Sequence, residues 1–188
     1  TSYADSLILD RMIVKDNESA SYGGGISCQN TNYLSIGNSW IHNNSSNSYG
    51  GGVSVRGSVQ YFELYNSIVS NNTAGSSQNS HQYGGGLNID DGVEKAIMRN
   101  NVIAFNTSYG RPGLDYSAFE DSLLLLNNIF YNNGGFEEWT RDICCKNDNI
   151  TAIANYFNEP NNDMMSSFGR DTLNINSTRN PFVNSGVN

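Results

Sequence analysis

The sequence predicts an all-β chain, a right-handed parallel β-helix of about six coils with a C-terminal capping segment, and three observations predict it. A glycine phrase recurs as Tyr22-Gly-Gly-Gly-Ile26, Tyr49-Gly-Gly-Gly-Val53 and Tyr83-Gly-Gly-Gly-Leu87, then in degraded form as Tyr109-Gly-Arg-Pro-Gly-Leu114. A second phrase keeps step with it. Alternating segments begin at Leu7, Leu34, Phe62, Ala96, Leu123 and Thr151, and each reaches an asparagine ten residues later, at Asn17, Asn44, Asn72, Asn106, Asn133 and Asn161. No stretch carries a helical period, and the turns are built of Gly, Asn and Ser. A phrase that returns at near-constant intervals marks stacked units that share one core.

Within a unit the apolar residues alternate: Leu34, Ile36 and Trp40; Phe62, Leu64 and Ile68; Leu123, Leu125 and Ile129. Period two means strand with one face buried, so these residues are expected to point inward. Length variation is confined to the stretch between the segment-ending asparagine and the glycines. The Ser-, Gln- and Asn-rich insertion before Tyr83 is therefore an exposed loop. The coils occupy residues 1–162 and the cap or tail residues 163–188, within a single domain.

The same register stacks two asparagine columns. One is the segment-ending set, Asn17 to Asn161. The other is Asn38, Asn66, Asn100, Asn127 and Asn155, four residues after each segment start, with Arg11 breaking it in the first coil. Identical amides about 4.8 Å apart can hydrogen-bond along the axis, and asparagine tolerates left-handed corners. Both columns are read as structural ladders.

Composition bounds the function. The 188 residues carry a net charge of −8, which argues against nucleic acid or an anionic membrane as partner. No run of 18 apolar residues exists to span a bilayer. Of three cysteines, Cys28 and Cys145 fall at the same inward position four coils apart, about 19 Å by coil spacing and beyond disulfide reach. Cys144 points outward, free or bridged to its neighbour. Glycosylation sequons begin at Asn17, Asn43, Asn44, Asn71, Asn106, Asn149 and Asn176. Asn43 and Asn149 are the better acceptors, since Asn17, Asn44 and Asn106 are assigned to the ladder.

Two sets of side chains are candidates for chemistry. Register brings Glu94 over Asp121, with Asp90 and Asp91 on the same coil as Glu94. Stacked carboxylates would hold Ca²⁺ or act as an acid/base pair, but Asp90-Asp91-Gly92 is itself a turn signal. No cofactor or other metal is expected. Tyr22, Tyr49, Tyr83 and Tyr109 precede the glycines and should stack along one edge. Facing out, they would make an aromatic strip for glycans; facing in, they would cap the core.

The pairing of Gly-Gly-Gly-aliphatic with aliphatic-x-x-Asn, as in Val14 to Asn17, Ile41 to Asn44, Val69 to Asn72, Ile103 to Asn106 and Phe130 to Asn133, resembles the repeats of chlamydial polymorphic outer-membrane proteins. Only Phe130 matches that family's Phe, and the third glycine replaces its usual Ala. The tail from Asn174 through Asn180-Pro-Phe-Val to Asn184 is similar to the closing segment of bacterial secreted β-helix proteins. These resemblances imply an extracellular or cell-surface rod, an adhesin, shaft or filament subunit, with no catalytic residue. The alternative is a carbohydrate-active enzyme, lyase or glycoside hydrolase, or a carbohydrate-binding module on the same fold. Only Thr1 to Ser6 precede the first strand, so the first coil is expected to be open. It would abut an upstream portion of a larger protein or a second copy stacked head to tail.

Overall fold

The computed structural model describes residues 4–75, 82–117, 122–135, 143–145, 150–157, 170–172 and 175–176. All of its regular structure is parallel β, wound as a solenoid of about five turns and stacked into three sheets. The first coil runs through strands Ala4–Asp10, Ile13–Lys15 and Glu18–Ser19, the second through Ile26–Gly37, Trp40–His42 and Ser45–Ser46, and the third through Val53–Tyr65, Ile68–Ser70 and Thr73–Ala74. From the fourth coil the long first strand divides, into Leu87–Ile89 and Lys95–Arg99, then Leu114–Tyr116 and Ser122–Leu126, then Ile143–Cys145 and Ile150–Ile153. Strands Arg170–Thr172 and Ile175–Asn176 continue the first and second sheets within the segment expected to fold over the end as a cap.

The predicted register holds across five coils, since Leu7 pairs with Leu34, Leu34 with Phe62, Phe62 with Ala96, and Ala96 with Leu123. It then differs by one residue: Leu123 pairs with Ile150, not Thr151. Inward columns form one apolar core. Ile41, Val69, Ile103 and Phe130 are fully buried beside Ile36, Leu64, Met98 and Leu125. Large and small residues offset one another, with Phe62 stacked on Ala96.

Trp40 and Ile68 overturn their inward assignment, being 45% and 44% exposed. Ile129 likewise faces outward, with its neighbour Phe130 buried. The cause is the corner. Asn38, Asn66, Asn100 and Asn127 have φ of 51°, 49°, 57° and 53°, and a left-handed residue turns the chain so that the alternation restarts one position later. A second left-handed corner follows each of the first five second-sheet strands, at Asp16, Asn43, Asn71, Phe105 and Asn132.

Just inside that second corner stands the ladder of segment-ending asparagines. Asn17, Asn44, Asn72 and Asn106 each donate a side-chain N–H to the Oδ1 of the next, ending at Asn133, over 2.9–3.0 Å. Each of the four also donates its backbone N–H to the same oxygen, at 3.0–3.1 Å. The corner residues Asn43, Asn71 and Phe105 still donate to backbone carbonyls of the next coil at 3.1–3.3 Å, and for the residue that follows each of them the amide oxygen takes the carbonyl's place. Asn161 lies outside the described residues. The other predicted column exists from Asn38 to Asn127, exposed and bonded at 3.2–3.3 Å. Asn155 does not belong to it. Because the last coil begins at Ile150, Ala154 takes the corner and Asn155 is buried one position on. There it extends a further interior column, in which Ser39 donates its N–H to Ser67, Ser67 to Asn101, Asn101 to Asn128 and Asn128 to Asn155.

The glycines form the next turn, from the third sheet back to the first, and leave room for this ladder. Gly23, Gly50 and Gly84 have φ of 63°, 67° and 70°, which favours glycine. A Cβ on Gly52 would lie 2.6 Å from the Gly86 oxygen and 3.0 Å from Asn72 Nδ2. The third glycine thus leaves the space that the ladder amide fills.

Gly51→Ala would set a Cβ 2.4 Å from the Thr73 oxygen and 2.5 Å from that of Gly85. These are backbone atoms with little room to yield, so the variant should lose about 2–3 kcal/mol. Gly134, where a Cβ would have nothing within 4 Å, should accept Ala within about 0.5 kcal/mol. Urea midpoints of the two variants check this. Asn72→Leu deletes two side-chain donations, to Asn106 and Ile41, and two acceptances from Asn44. With these partners stranded in the interior it should cost about 3 kcal/mol or more, against about 0.5 kcal/mol or less for Asn66→Gly in the exposed column. Thermal unfolding compares them.

Candidate functional site

Three surfaces carry the side chains capable of recognition. The first is the tyrosine edge. Tyr22 and Tyr49 stack with ring centroids 5.6 Å apart and planes 12° from parallel, and Tyr83 continues the stack at 5.9 Å, tilted by 55°. The Arg56 guanidinium lies 3.9 Å from the Tyr22 centroid and that of Arg111 4.3 Å from Tyr83. Tyr109 falls out of this register. Counting back from Leu114, which pairs with Leu87, it is Gly110 that stands level with Tyr83. The extra residue in the degraded phrase causes the offset, and Arg111 accordingly takes a left-handed φ of 91°.

Beside this edge runs a buried polar row that the sequence reading did not single out. Ser54 Oγ and Asn88 Oδ1 are 3.2 Å apart, and Asn88 Nδ2 donates to Asp115 Oδ2 at 3.3 Å. Asp115 Oδ1 accepts from Arg111, forming an ion pair. Burial raises the Tyr49 pKa above the ordinary tyrosine range, and the neighbouring Tyr22, Tyr83, Asp115 and Asp90 push it the same way. The row's signal was Ser54, Asn88 and Asp115 at one register position, between apolar neighbours.

The acidic candidates divide. Asp90 Oδ1 accepts from the Asp91 N–H at 2.9 Å and from Ser117 Oγ at 3.2 Å, which is the bonding of a turn aspartate. Gly92 follows at φ 87°. Asp91 and Glu94 are exposed, and Asp121 lies outside the described residues. Among the described residues no group of three or more His, Cys, Asp or Glu is placed to hold a metal ion.

The second surface is the outer face of the first sheet. Tyr33 and Tyr61 stack at 5.4 Å, and Glu63 accepts from Arg99 Nε at 2.9 Å and from the Tyr33 hydroxyl at 3.3 Å. Arg99 also lies over Tyr65. Burial, and after it Glu63 and Tyr33, raise the Tyr61 pKa, with Arg99 opposing.

The third surface is the outer face of the second sheet. Pairing aligns Ile13, Trp40, Ile68, Val102, Ile129 and Tyr156 in one outward column. Trp40 is held in place, its Nε1 donating to Ser70 Oγ at 3.2 Å and its ring stacked on His42 at 4.0 Å. Phe105, 44% exposed, meets Tyr131 edge to face at 5.5 Å. Sequence reasoning missed this surface because it placed Trp40, Ile68 and Ile129 in the core.

A raised tyrosine pKa means that the folded state holds its phenol proton to higher pH than the unfolded chain. Stability is complete below the unfolded value of about 10 and falls as pH rises through the folded one. Tyr49→Phe removes a titrating group, so wild type should lose stability relative to this variant as pH passes about 10. Urea midpoints of both proteins at neutral and alkaline pH check the sign.

The geometry of these surfaces stands without a relative to compare it with: no known protein family matches the chain, and neither does any curated protein or solved structure.

Proposed function

We propose that this chain is a non-catalytic extracellular β-solenoid that serves as a shaft or adhesin. The observation that carries this reading is how its polar side chains are engaged. Buried amides and hydroxyls bond from coil to coil through Asn17 to Asn133 and Ser39 to Asn155. Three prominent carboxylates have structural partners: Asp115 has Arg111, Glu63 has Arg99, and Asp90 has its own turn. A scaffold whose repeats bind chiefly to each other extends in one dimension and presents long faces. The acidic, asparagine-rich composition and the resemblance of the glycine phrase to surface-protein repeats support a location outside the cell.

Incubation with pectate, alginate, xylan and a β-glucan, with and without Ca²⁺, tests the reading. Neither new reducing ends nor ultraviolet-absorbing unsaturated sugar should form. Product that accumulates in proportion to protein and disappears in Asp115→Asn or Asp90→Asn would establish the enzyme alternative.

A further inference from the structure

We propose that the outer face of the second sheet binds an uncharged, extended polysaccharide. The inference names a ligand for the shaft proposed above and so rests on that reading. Three features of the face point to this partner.

The first is charge. Across residues 38–43, 66–71, 100–105 and 127–132 there is no Asp, Glu, Lys or Arg, although the chain carries 18 acidic and 10 basic residues. In the first coil the charged side chains flanking this face are paired, Arg11 with Asp10 at 3.4 Å and Lys15 with Asp16 at 3.3 Å, and Asp10 also accepts from Asn38 Nδ2 at 2.6 Å. A face without charge does not select an anionic chain or a basic peptide.

The second is shape. The face is five residue steps wide from one corner to the other and about six rungs long along the axis, roughly 16 Å by 24 Å from strand rise and spacing. That is roughly 400 Å², about half of the ~800 Å² that one partner contributes to a stable protein interface. A patch this narrow and long suits a chain better than a second folded surface.

The third is the order of chemical groups across it. The middle is apolar and aromatic, with Ile13, Trp40 and Ile68 exposed at 67%, 45% and 44%, and Phe105 adds an aromatic ring, 44% exposed, at one edge. The indole N–H is already satisfied by Ser70, so the Trp40 ring offers a flat surface without a donor to be desolvated. Along one side runs the exposed column Asn38, Asn66, Asn100 and Asn127. In it Asn66 and Asn100 each donate one N–H and accept one along the column. An amide has two N–H groups and two lone pairs, so one of each remains for a ligand at these rungs. Along the other side Asn43, Asn71 and Asn132 are exposed at left-handed corners. A pyranose chain matches this arrangement, with C–H ring faces for the apolar middle and hydroxyl edges for the amide rails.

The test is co-sedimentation of the intact chain with insoluble cellulose, chitin and xylan, beside pectate gel, with wild type, Trp40→Ala and Ile68→Asp. Both variants change outward side chains, and their melting temperatures report folding independently of binding. The proposal expects retention on at least one uncharged polymer, weakened about tenfold or more by each substitution at unchanged melting temperature. It is overturned by retention on none of the uncharged polymers, by retention on pectate alone, or by retention that both variants preserve. Sedimentation velocity without polysaccharide supplies the other arm. A dimer that Trp40→Ala converts to monomer would assign the face to a second copy and overturn the proposal. Loss of binding leaves the cleavage assay unaffected, so failure here is distinguishable from failure of the non-catalytic reading.

Discussion

The corner between the second and third sheets is where this solenoid has least freedom. The ordinary strand ladder is interrupted there. The Asn44, Asn72 and Asn106 amide oxygens accept the backbone N–H groups of Asn17, Asn44 and Asn72 in place of backbone carbonyls, and these amides fit because Gly25, Gly52 and Gly86 have no Cβ to occupy the same space. Neither half suffices alone. A larger residue at the glycine would displace the amide, and an apolar residue at the amide would leave buried N–H groups unsatisfied. This mutual requirement explains why the two phrases recur in step while the loop between them varies in length.

The left-handed corners have a second consequence. Each shifts the inward parity by one residue, so the alternation of the first sheet does not run on into the second. The residues that follow Asn38 and Asn66 place Ile41 and Val69 inside and Trp40 and Ile68 outside. The fold thereby presents apolar side chains to solvent on one sheet while a different apolar set fills its core. The outer face of the first sheet carries the Glu63–Arg99 ion pair, and the tyrosine edge carries that of Arg111 and Asp115. The faces of one rod thus differ in chemistry, which is what a scaffold that presents ligands requires.

Much of this was legible in the sequence, because the repeat fixes register by counting. Leu7, Leu34, Phe62, Ala96 and Leu123 align as spacing alone indicates, and the asparagines ten residues on stack as expected. What counting could not supply was local geometry. Ile150 rather than Thr151 opens the last coil, because pairing, not polarity pattern, defines the start, and this moved Asn155 from an exposed column to a buried one. Tyr109 missed its column through a single extra residue. The Trp40 face was hidden because period two cannot reveal where a positive φ resets it. The row of Ser54, Asn88 and Asp115 went unnoticed for a different reason: its members share a position but not a residue type.

The central claim is that the segment-ending asparagines are interior hydrogen-bonding elements while those at the preceding corner are surface turns. Side-chain amide hydrogen exchange, followed by NMR residue by residue, tests this most directly. The Asn72 and Asn106 amide protons, at 0% exposure, should exchange only through global unfolding and as slowly as the core strands. Those of Asn66 and Asn100 should exchange almost as fast as in an unstructured peptide. Rapid exchange at Asn72, matching that of Asn66, would contradict the account and show that the ladder does not hold the coils together.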